Sequence, residues 1–284
     1  MKKKKIIITL ALFLTAILFT ACNNNDSPSG SPAKKEDSEV SQTESAEKGG
    51  GKLYTEIMDK GVIRIGTEGT YSPYSFHNEK DELVGYDVEI ARAVAEKLGV
   101  EAEFVEAPWD SMLAAFDAGK SDVIFNQVAI NEERQKKYDF TTPYTAVRPV
   151  LIIHEDNTEI ASFEDLDGKS SAQTMTSNFA ALAESFGAEI ASTDGFSKSI
   201  ELVITGRADA TINDDVTFYD YKNQKKDAPI VIAATSEEIV YNAAAVKKGE
   251  TELIEALDKA LKELEDAGTI KEISEKYFGM DISQ

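Results

Sequence analysis

The sequence is poor in the residues on which most enzyme and metal chemistry depends. Its 284 residues include one cysteine, two histidines and one tryptophan. A single thiol, Cys22, cannot close a disulfide within the chain, and neither His77 nor His154 has a second histidine at metal-binding spacing. A P-loop, a G-x-G-x-x-G fingerprint and a G-x-S-x-G motif are also missing. These absences predict a protein that is not an enzyme and has no metal site and no cofactor.

Positive charge is scarce as well. The chain has 30 lysines and arginines against 51 aspartates and glutamates, a formal net charge of −21. A body this acidic is repelled by phosphate backbones and by anionic lipid head groups. The composition therefore excludes nucleic acid as a partner and excludes membrane attachment through a basic patch.

The N-terminus has the pattern of an export signal. Four lysines precede sixteen uncharged residues, 6–21, and Cys22 follows them. Such a run is shorter than the ~20 residues that a spanning helix needs. The segment LFTAC (18–22) resembles the bacterial lipoprotein lipobox, which implies removal of residues 1–21 and lipidation of Cys22, with palmitate among the acyl chains. The alternatives are an ordinary signal peptide with an incidental cysteine and an N-terminal membrane anchor.

Residues 22–52 form the second predicted segment, the lipidated cysteine and a disordered tether. Residues 23–52 contain no aromatic residue and a single valine, and they end near Gly49-Gly50-Gly51. Such a stretch cannot bury enough apolar surface to offset its chain entropy. We therefore predict a lipid-anchored protein on the extracytoplasmic face of the cell membrane.

From Leu53 onward, strand-like and helix-like patterns alternate, which is typical of an α/β protein with largely parallel sheets. In the first series Asp87 is the predicted cap of a helix that Gly99 ends. A second series of similar size follows, and a strand near 239–246 returns the chain to the first. This organisation predicts two lobes joined by two hinge crossings, lobe 1 at 53–146 plus 243–284 and lobe 2 at 147–242.

Three groups of polar residues fall at predicted strand ends, where open α/β sheets place ligands. Arg134 follows a strand and a helix cap at Asn131, and its planar fork suits a carboxylate, although it could instead pair with Glu132 or Asp139. Thr176, Ser177 and Asn178 open a helix whose N–H groups suit an anion, although simple capping explains them equally. Asp214 could accept an ammonium group, and either Asp214 or its neighbour Asp215 could be an N-cap.

Aromatic residues lie near the same strand ends. Tyr71 and Tyr74 belong to a loop, and Trp109 is the only tryptophan. Core packing is the usual role of such residues. A pair of rings around a cationic or apolar side chain is the functional alternative.

The chain from 53 to 284 resembles the polar amino-acid solute-binding proteins of ABC importers. The segments that carry the resemblance are IGTEGTYSPY (65–74), GYDVE (85–89), NQVAINEER (126–134), YDFTTPY (138–144), GRADA (206–210) and ISEKYFG (273–279). Two further segments, NQV (126–128) and TMTSN (174–178), look most like the cystine-binding branch.

The resemblance implies a two-lobed clamp of the periplasmic-binding-protein kind that closes on one amino acid, L-cystine by this likeness. Arg134 with the amides of Thr176, Ser177 and Asn178 would hold the α-carboxylate, and Asp214 would hold the α-ammonium group. The remaining site residues would be Tyr71 and Trp109 beside the ligand side chain, the backbone at Gln127 and Ala129, and Glu68 and Tyr74.

The implied partners are the amino acid, an ABC permease with its ATPase, and the membrane through the lipid on Cys22, with the protein itself a monomer. Other readings stay open at this point. One is a receptor for cysteine or another polar amino acid, and another is a sensor or a dehydratase on the same fold.

Overall fold

The computed structural model describes residues 52–283. The predicted signal peptide, the lipidation site Cys22 and the tether up to residue 51 lie outside these residues. Lys52, the last residue of the predicted tether, begins the first helix.

Strands and helices alternate along the described chain. The strands are β1 (Val62–Thr67), β2 (Thr70–Tyr71), β3 (Ser75–His77), β4 (Leu83–Val84), β5 (Glu101–Glu106), β6 (Val123–Ala129), β7 (Tyr138–Phe140), β8 (Thr145–Val147), β9 (Pro149–His154), β10 (Ser170–Gln173), β11 (Glu189–Ser192), β12 (Ala210–Asp214), β13 (Ile230–Thr235) and β14 (Val240–Lys247). The helices are α1 (Lys52–Lys60), α2 (Tyr86–Leu98), α3 (Trp109–Asp117), α4 (Glu132–Lys137), α5 (Asn178–Ser185), α6 (Phe196–Ile204), α7 (Asp215–Gln224), α8 (Thr251–Asp266) and α9 (Thr269–Phe278), with a 3₁₀ turn at Phe163–Leu166.

The first large sheet has the strand order β5-β1-β6-β14-β7, and β8 also pairs with β14. β1 is parallel to β5 and β6, whereas β14 is antiparallel to its three partners. β6 is buried along its whole length, and successive side chains enter opposite cores. Val123 and Phe125 pack with helices α2, α8 and α9, while Ile124 and Val128 pack with Trp109 and its helix α3. The sheet is therefore covered on both faces.

The second large sheet has the order β11-β10-β12-β9-β13. β10 is parallel to β11 and β12, and β9 runs antiparallel to β12 and β13. Its strands also feed two cores, because Leu151 and Ile153 face one cluster while Val150 and Ile152 face the other. Both sheets are thus mixed rather than largely parallel, since a chain that crosses to another sheet and returns brings in antiparallel strands.

The chain passes twice between the two sheets, between β8 and β9 and again between β13 and β14. Both passages run side by side, because Tyr241 pairs with Ala146 and the Arg148 guanidinium donates to the carbonyl of Glu237 at 2.8 Å. We call the two sheets with their helices the first and the second lobe. The strand that returns the chain begins at Val240; the lobe limits at 147 and 243 stay predictions.

The start of helix α2 differs from the sequence-based expectation. Gly85 holds the N-cap position, where a Cβ would lie 2.2 Å from the carbonyl oxygen of Tyr74. Asp87 is a completely buried residue of the first turn, and its side chain accepts a hydrogen bond from Gln127. Asp87 is therefore not the cap, because the close packing of the preceding loop leaves room only for glycine there. Gly99 does end the helix, with a left-handed φ of 75°.

Candidate functional site

Arg134 lies at the edge of the first lobe, where β6 ends and α4 begins. Asn131 caps that helix by accepting a hydrogen bond from the Arg134 N–H at 2.8 Å, as predicted. The guanidinium donates to the Ala129 carbonyl at 3.1 Å and lies 5.1 Å from the Trp109 ring. Burial lowers the pKa of Arg134 to about 10. The side chain is therefore charged at neutral pH.

No carboxylate of the described residues forms an ion pair with Arg134. Of its two possible partners, Asp139 instead binds Lys248 and the Gly249 N–H, and Glu132 makes no contact with the guanidinium. Arg134 is 7% exposed. A buried cation without a counter-charge favours an anionic ligand, because the charge otherwise lacks full compensation.

The opposite wall belongs to the second lobe and begins with the loop 174–177. Ser177 caps α5 by accepting a hydrogen bond from the Ala180 N–H at 3.0 Å. The other N–H groups of the first helical turn have no partner within the helix, so they are available to an anion. Two of the three predicted amides are already used, because the Thr176 N–H donates to Asp110 of the first lobe at 3.0 Å and the Ser177 N–H donates to the Thr174 carbonyl at 3.2 Å.

Asp214 lies at the end of β12, also on the second lobe. It is the N-cap of α7, since its Oδ1 accepts a hydrogen bond from the Thr217 N–H at 2.7 Å. Its Oδ2 lies 2.9 Å from the hydroxyl of Tyr71, which comes from the first lobe. Burial raises the pKa of Asp214 to about 6, and the hydrogen bonds from Thr217 and Tyr71 oppose that rise. The carboxylate has no ion-pair partner among the described residues.

Glu68 is a second buried carboxyl group, on the first lobe. Its Oε2 accepts a hydrogen bond from Asn126 Nδ2 at 2.7 Å, and its own N–H donates to Asn126 Oδ1 at 2.8 Å. Burial raises the pKa of Glu68 to about 7. On its open side lies Gly195 of the second lobe, where a Cβ would lie 3.7 Å from Glu68 Oε1. Glu68 therefore faces the gap between the lobes with no cation to balance it.

These groups surround a narrow cleft of about 50 Å³ between the lobes. Its lining residues are Glu68, Tyr71, Trp109, Asn126, Gln127, Thr174, Ser177, Asn178, Phe179, Gly195, Phe196 and Asn213. Six predicted site residues are thus in the lining. Arg134, Asp214, Ala129 and Thr176 lie directly behind it, each in hydrogen-bond contact with another of the groups described above.

The side chains of Tyr74 and Gln127 contact other protein groups and do not face the cleft. Tyr74 is completely buried in the core of the first lobe, against Tyr71, Tyr86 and Phe278. The Gln127 side chain points away from the cleft, because it donates to Asp87 and Thr145 and accepts from Asn242. Its backbone has a left-handed φ of 51°. Only the Gln127 backbone is placed to meet a ligand.

Several residues of the site were not selected from the sequence. Asn126 fixes Glu68, Asn213 lies 2.8 Å from the Tyr71 hydroxyl, and Phe196 lines the cleft. Asn126 and Asn213 directly precede predicted site residues at strand ends, and this position in the sequence could have identified them. Phe196 opens a helix after Gly195 and carried no such signal.

The described residues contain no group of histidine, cysteine and carboxylate side chains able to hold a metal ion. Residues 52–283 also include no helix long and apolar enough to cross a membrane.

Comparison with known proteins identifies relatives along nearly the whole described chain. Residues 63–280 match the bacterial extracellular solute-binding proteins, family 3. The L-cystine-binding protein TcyA of Bacillus subtilis is 36% identical over 283 residues, which cover 99% of this chain and all of that protein.

Two solved structures extend the comparison to the fold. The L-cystine solute receptor of Neisseria gonorrhoeae, in the unliganded open conformation, is 42% identical, covers 82% of this chain and all of its own, and has a TM-score of 0.55. A mutant of ArgBP from T. maritima is 28% identical, with a TM-score of 0.75 over 80% of this chain and 99% of its own. The two-lobed α/β fold predicted from the sequence is thereby confirmed.

Proposed function

The chain belongs to the bacterial extracellular solute-binding proteins, family 3, and from this premise we propose that it captures L-cystine between its lobes for an ABC importer. The ligand would be handed to a membrane permease that its ATPase drives. The protein itself would make and break no bond.

The observation that carries the proposal is a pair of buried, opposite charges without partners. The Arg134 guanidinium on the first lobe has no carboxylate, and the Asp214 carboxylate on the second has no cation. An amino acid supplies both missing charges within one small molecule. Its α-carboxylate would meet Arg134 and the first N–H groups of α5, and its α-ammonium group would meet Asp214.

Glu68 supports cystine over amino acids with one ammonium group. Cystine is two amino acids joined through a disulfide, so it carries two ammonium groups. With Asp214 holding one of them, the other requires a second acceptor in the cleft. The buried Glu68 carboxylate, held by Asn126, is suitably placed on the facing wall.

The aromatic rings of the cleft suit the remaining, apolar part of such a ligand. Tyr71 and Trp109 both line the cleft, and Phe196 of the second lobe lines it as well. The Trp109 Nε1 group is buried and has no acceptor among the described residues, so it can donate to a ligand oxygen. Rings and disulfide would together exclude water around the charged contacts.

Isothermal titration calorimetry tests the proposal directly. We expect L-cystine to bind at micromolar Kd or tighter, which corresponds to about 8 kcal/mol or more. Cysteine under reducing conditions, glutamine, histidine, lysine and arginine should bind more weakly. The absence of binding by cystine, with any of the other amino acids bound tightly, would contradict the ligand assignment and leave the family unaffected.

Glu68→Gln provides the matched test of the second ammonium site. The amide keeps the shape and the hydrogen-bonding capacity of Glu68 but loses its charge. We expect a loss of about tenfold or more in cystine affinity, with a much smaller loss for a neutral amino acid such as glutamine. An equal loss for both ligands would show that Glu68 has no role in recognising a second cation.

We further propose that a lipid on Cys22 holds the receptor near its permease, at the cell membrane and as a monomer. The support is the lipobox-like segment 18–22 together with the acidic charge of the chain. Two acyl chains are about the minimum for stable attachment. Cys22→Ser should release a protein that still binds its ligand, as cell fractionation would detect. Unchanged membrane retention of this variant would overturn the anchor.

A further inference from the structure

Asp110 is one of the side chains that bond the two lobes to each other, as Tyr71, Ser72 and Arg134 also do. Asp110 stands in the first turn of α3 on the first lobe. Its Oδ1 accepts hydrogen bonds from the Thr176 N–H at 3.0 Å and from the Thr176 hydroxyl at 2.5 Å. Its Oδ2 accepts from the Met175 N–H at 3.2 Å. All three donors belong to the loop 174–177 of the second lobe.

Arg134 holds the same loop from its other side. Its guanidinium donates to the Thr176 carbonyl oxygen at 3.3 Å. Thr176 is thus bound by an anion at its N–H and by a cation at its C=O, and both come from the first lobe. We call Asp110, Arg134 and Thr176 the Thr176 clasp.

The clasp forms only while the lobes are together. The cleft between the lobes has about 50 Å³ of space open to the centre of a water molecule, and since one water needs about 10 to 15 Å³ of such space, the cleft has room for a few waters at most. An amino acid can enter only after the lobes have moved apart, and that motion breaks every bond between Asp110 and the loop. Asp110, like Arg134, is not among the residues that line the cleft, but both of its carboxylate oxygens already accept hydrogen bonds from the loop 174–177. Arg134 differs, because it bonds only two carbonyl oxygens and its guanidinium has further N–H groups for a ligand.

We propose that Asp110 is a closure residue, which stabilises the closed arrangement of the lobes and so sets how long the ligand stays bound, without touching it. The consequence for affinity rests on the proposed function, whereas the effect on the lobes does not. A ligand that binds within the closed form gains affinity in proportion to the stability of that form. Charge-assisted hydrogen bonds are the stronger kind, so three of them make a substantial contribution to closure.

Ligand kinetics give the first test, with Asp110→Ala and Asp110→Asn measured by stopped-flow and calorimetry. We expect Asp110→Ala to weaken L-cystine about tenfold or more, mainly through faster dissociation, and to weaken a poorer amino-acid ligand by the same factor. Asp110→Asn keeps one acceptor oxygen and should lose less. A change in the preference between two ligands would overturn the proposal, since it would mean that Asp110 contacts the ligand. Tighter binding would overturn it too, because Asp110 would then be competing with the ligand.

Asp194→Asn is the matched control for charge. Asp194 is exposed beside Gly195 at the cleft, and its side chain has no bonding partner in the described part of the chain. The substitution removes one negative charge near the site without touching the clasp. We expect its affinity to stay within about twofold of the unmodified protein. A loss equal to that of Asp110→Ala would assign the effect to general electrostatics instead.

A double-mutant cycle isolates the bond itself. Thr176→Ala removes the hydroxyl that donates to Asp110 but leaves the backbone N–H groups in place. If the two side chains act through each other, the double variant should lose clearly less affinity than the product of the two single losses. Fully multiplicative losses would show that Asp110 and the Thr176 hydroxyl act independently.

A distance measurement separates closure from ligand recognition. Helices α3 and α5 begin beside the clasp and lead away from it on opposite lobes. Spin labels at exposed positions near their C-terminal ends, Lys120→Cys and Glu184→Cys, would therefore report the separation of the lobes. Cys22→Ser would remove the only native thiol. Without ligand, Asp110→Ala should shift the distance distribution to longer values. An unchanged distribution would overturn the closure role even if cystine binds, whereas a shift without cystine binding would refute only the proposed ligand.

Discussion

Arg134 is oriented before any ligand arrives, and none of the groups that orient it is an anion. The Ala129 carbonyl, the Thr176 carbonyl and the Trp109 ring each engage the guanidinium while leaving its charge uncompensated. A planar, five-donor group is needed to satisfy such dispersed partners and still offer a fork to a carboxylate. Arginine at this position is therefore required by geometry as well as by charge.

The first prediction compares Arg134→Lys with Arg134→Ala. Lysine keeps the charge but cannot bond both carbonyls and a carboxylate at once, so we expect a loss of about 1 to 3 kcal/mol in binding free energy. Alanine should cost about 2 to 5 kcal/mol, because a ligand carboxylate would be buried without its partner. Calorimetry measures both, and circular dichroism controls for folding. Wild-type affinity in the lysine variant would show that only charge matters.

The sequence revealed individual site residues where local rules determine them. The Asn131 cap three residues before Arg134 could be read from residue type and spacing, and so could the cap formed by Ser177. The role of Asp110 could not, because its partners lie more than 60 residues away on another lobe. The burial of Tyr74 was equally hidden, since a tyrosine in a loop can face either the core or a ligand.

At the scale of elements, strand β6 carries the strain of the site. Gln127 stands within this strand with a left-handed φ of 51°, and the pairing register of β14 shifts opposite it, between Ala243 and Ala245. The distortion turns the Gln127 side chain toward the strands at the two hinge passages, where it contacts Thr145 on β8 and Asn242 on β14. β6 thus links the cleft to both passages.

The second prediction concerns the stability of two variants at position 127, where we expect glycine to be more stable than alanine, the reverse of their usual order in a strand. Gln127→Ala and Gln127→Gly both lose the bonds to Asp87, Thr145 and Asn242, so each should destabilise the protein by about 2 kcal/mol or more. Glycine has no Cβ, so it also avoids the energetic cost of holding a residue with a side chain at a left-handed φ. We expect Gln127→Gly to be about 1 kcal/mol more stable than Gln127→Ala in urea unfolding. Greater stability of the alanine variant would show that the backbone relaxes there.

Periodicity was a good guide to the elements and a poor guide to their first turns. The alternation of strands and helices and the glycine end of α2 were evident from residue patterns. Asp87 looked like a cap because aspartate at the start of a helical pattern usually is one. The contact that excludes this role, between Gly85 and the Tyr74 carbonyl, comes from a loop folding back, which spacing does not encode.

At the scale of the whole molecule, three buried carboxyl groups share a raised pKa. Burial raises the pKa of Glu68 and of Asp87 to about 7, and that of Asp214 to about 6. Between about pH 4 and pH 7 the folded protein therefore holds protons that the unfolded chain has already released. Stability must fall as pH rises through this range, since the folded state then binds more protons than the unfolded state.

The third prediction follows for the protein without ligand. Thermal and urea unfolding should show the highest stability near pH 4 to 5 and a loss of up to about 7 kcal/mol by pH 8, because Glu68 and Asp87 each titrate over about two pH units and Asp214 over about one, at about 1.4 kcal/mol per unit. Carboxylates whose pKa is lowered, such as Asp139 and Asp209, contribute stability that is lost only as pH falls below about 4, outside this window. Glu68→Gln should flatten the decline. Stability that instead rises from pH 5 to pH 8 would contradict the burial of these groups as acids.

Ligand affinity should rise with pH, whereas the stability of the protein without ligand falls. This contrast tests whether the buried carboxyl groups bind the ligand. An ammonium group needs Glu68 and Asp214 ionised, so cystine affinity should increase from pH 5 to pH 7.5 by up to about tenfold per pH unit for each group below its pKa. The thermal shift that cystine produces should therefore widen as the unliganded protein becomes less stable. Glu68→Gln should abolish most of the widening, because Glu68 has the higher pKa and titrates over more of this range than Asp214. A shift independent of pH would mean that neither carboxyl group meets the ammonium groups of the ligand.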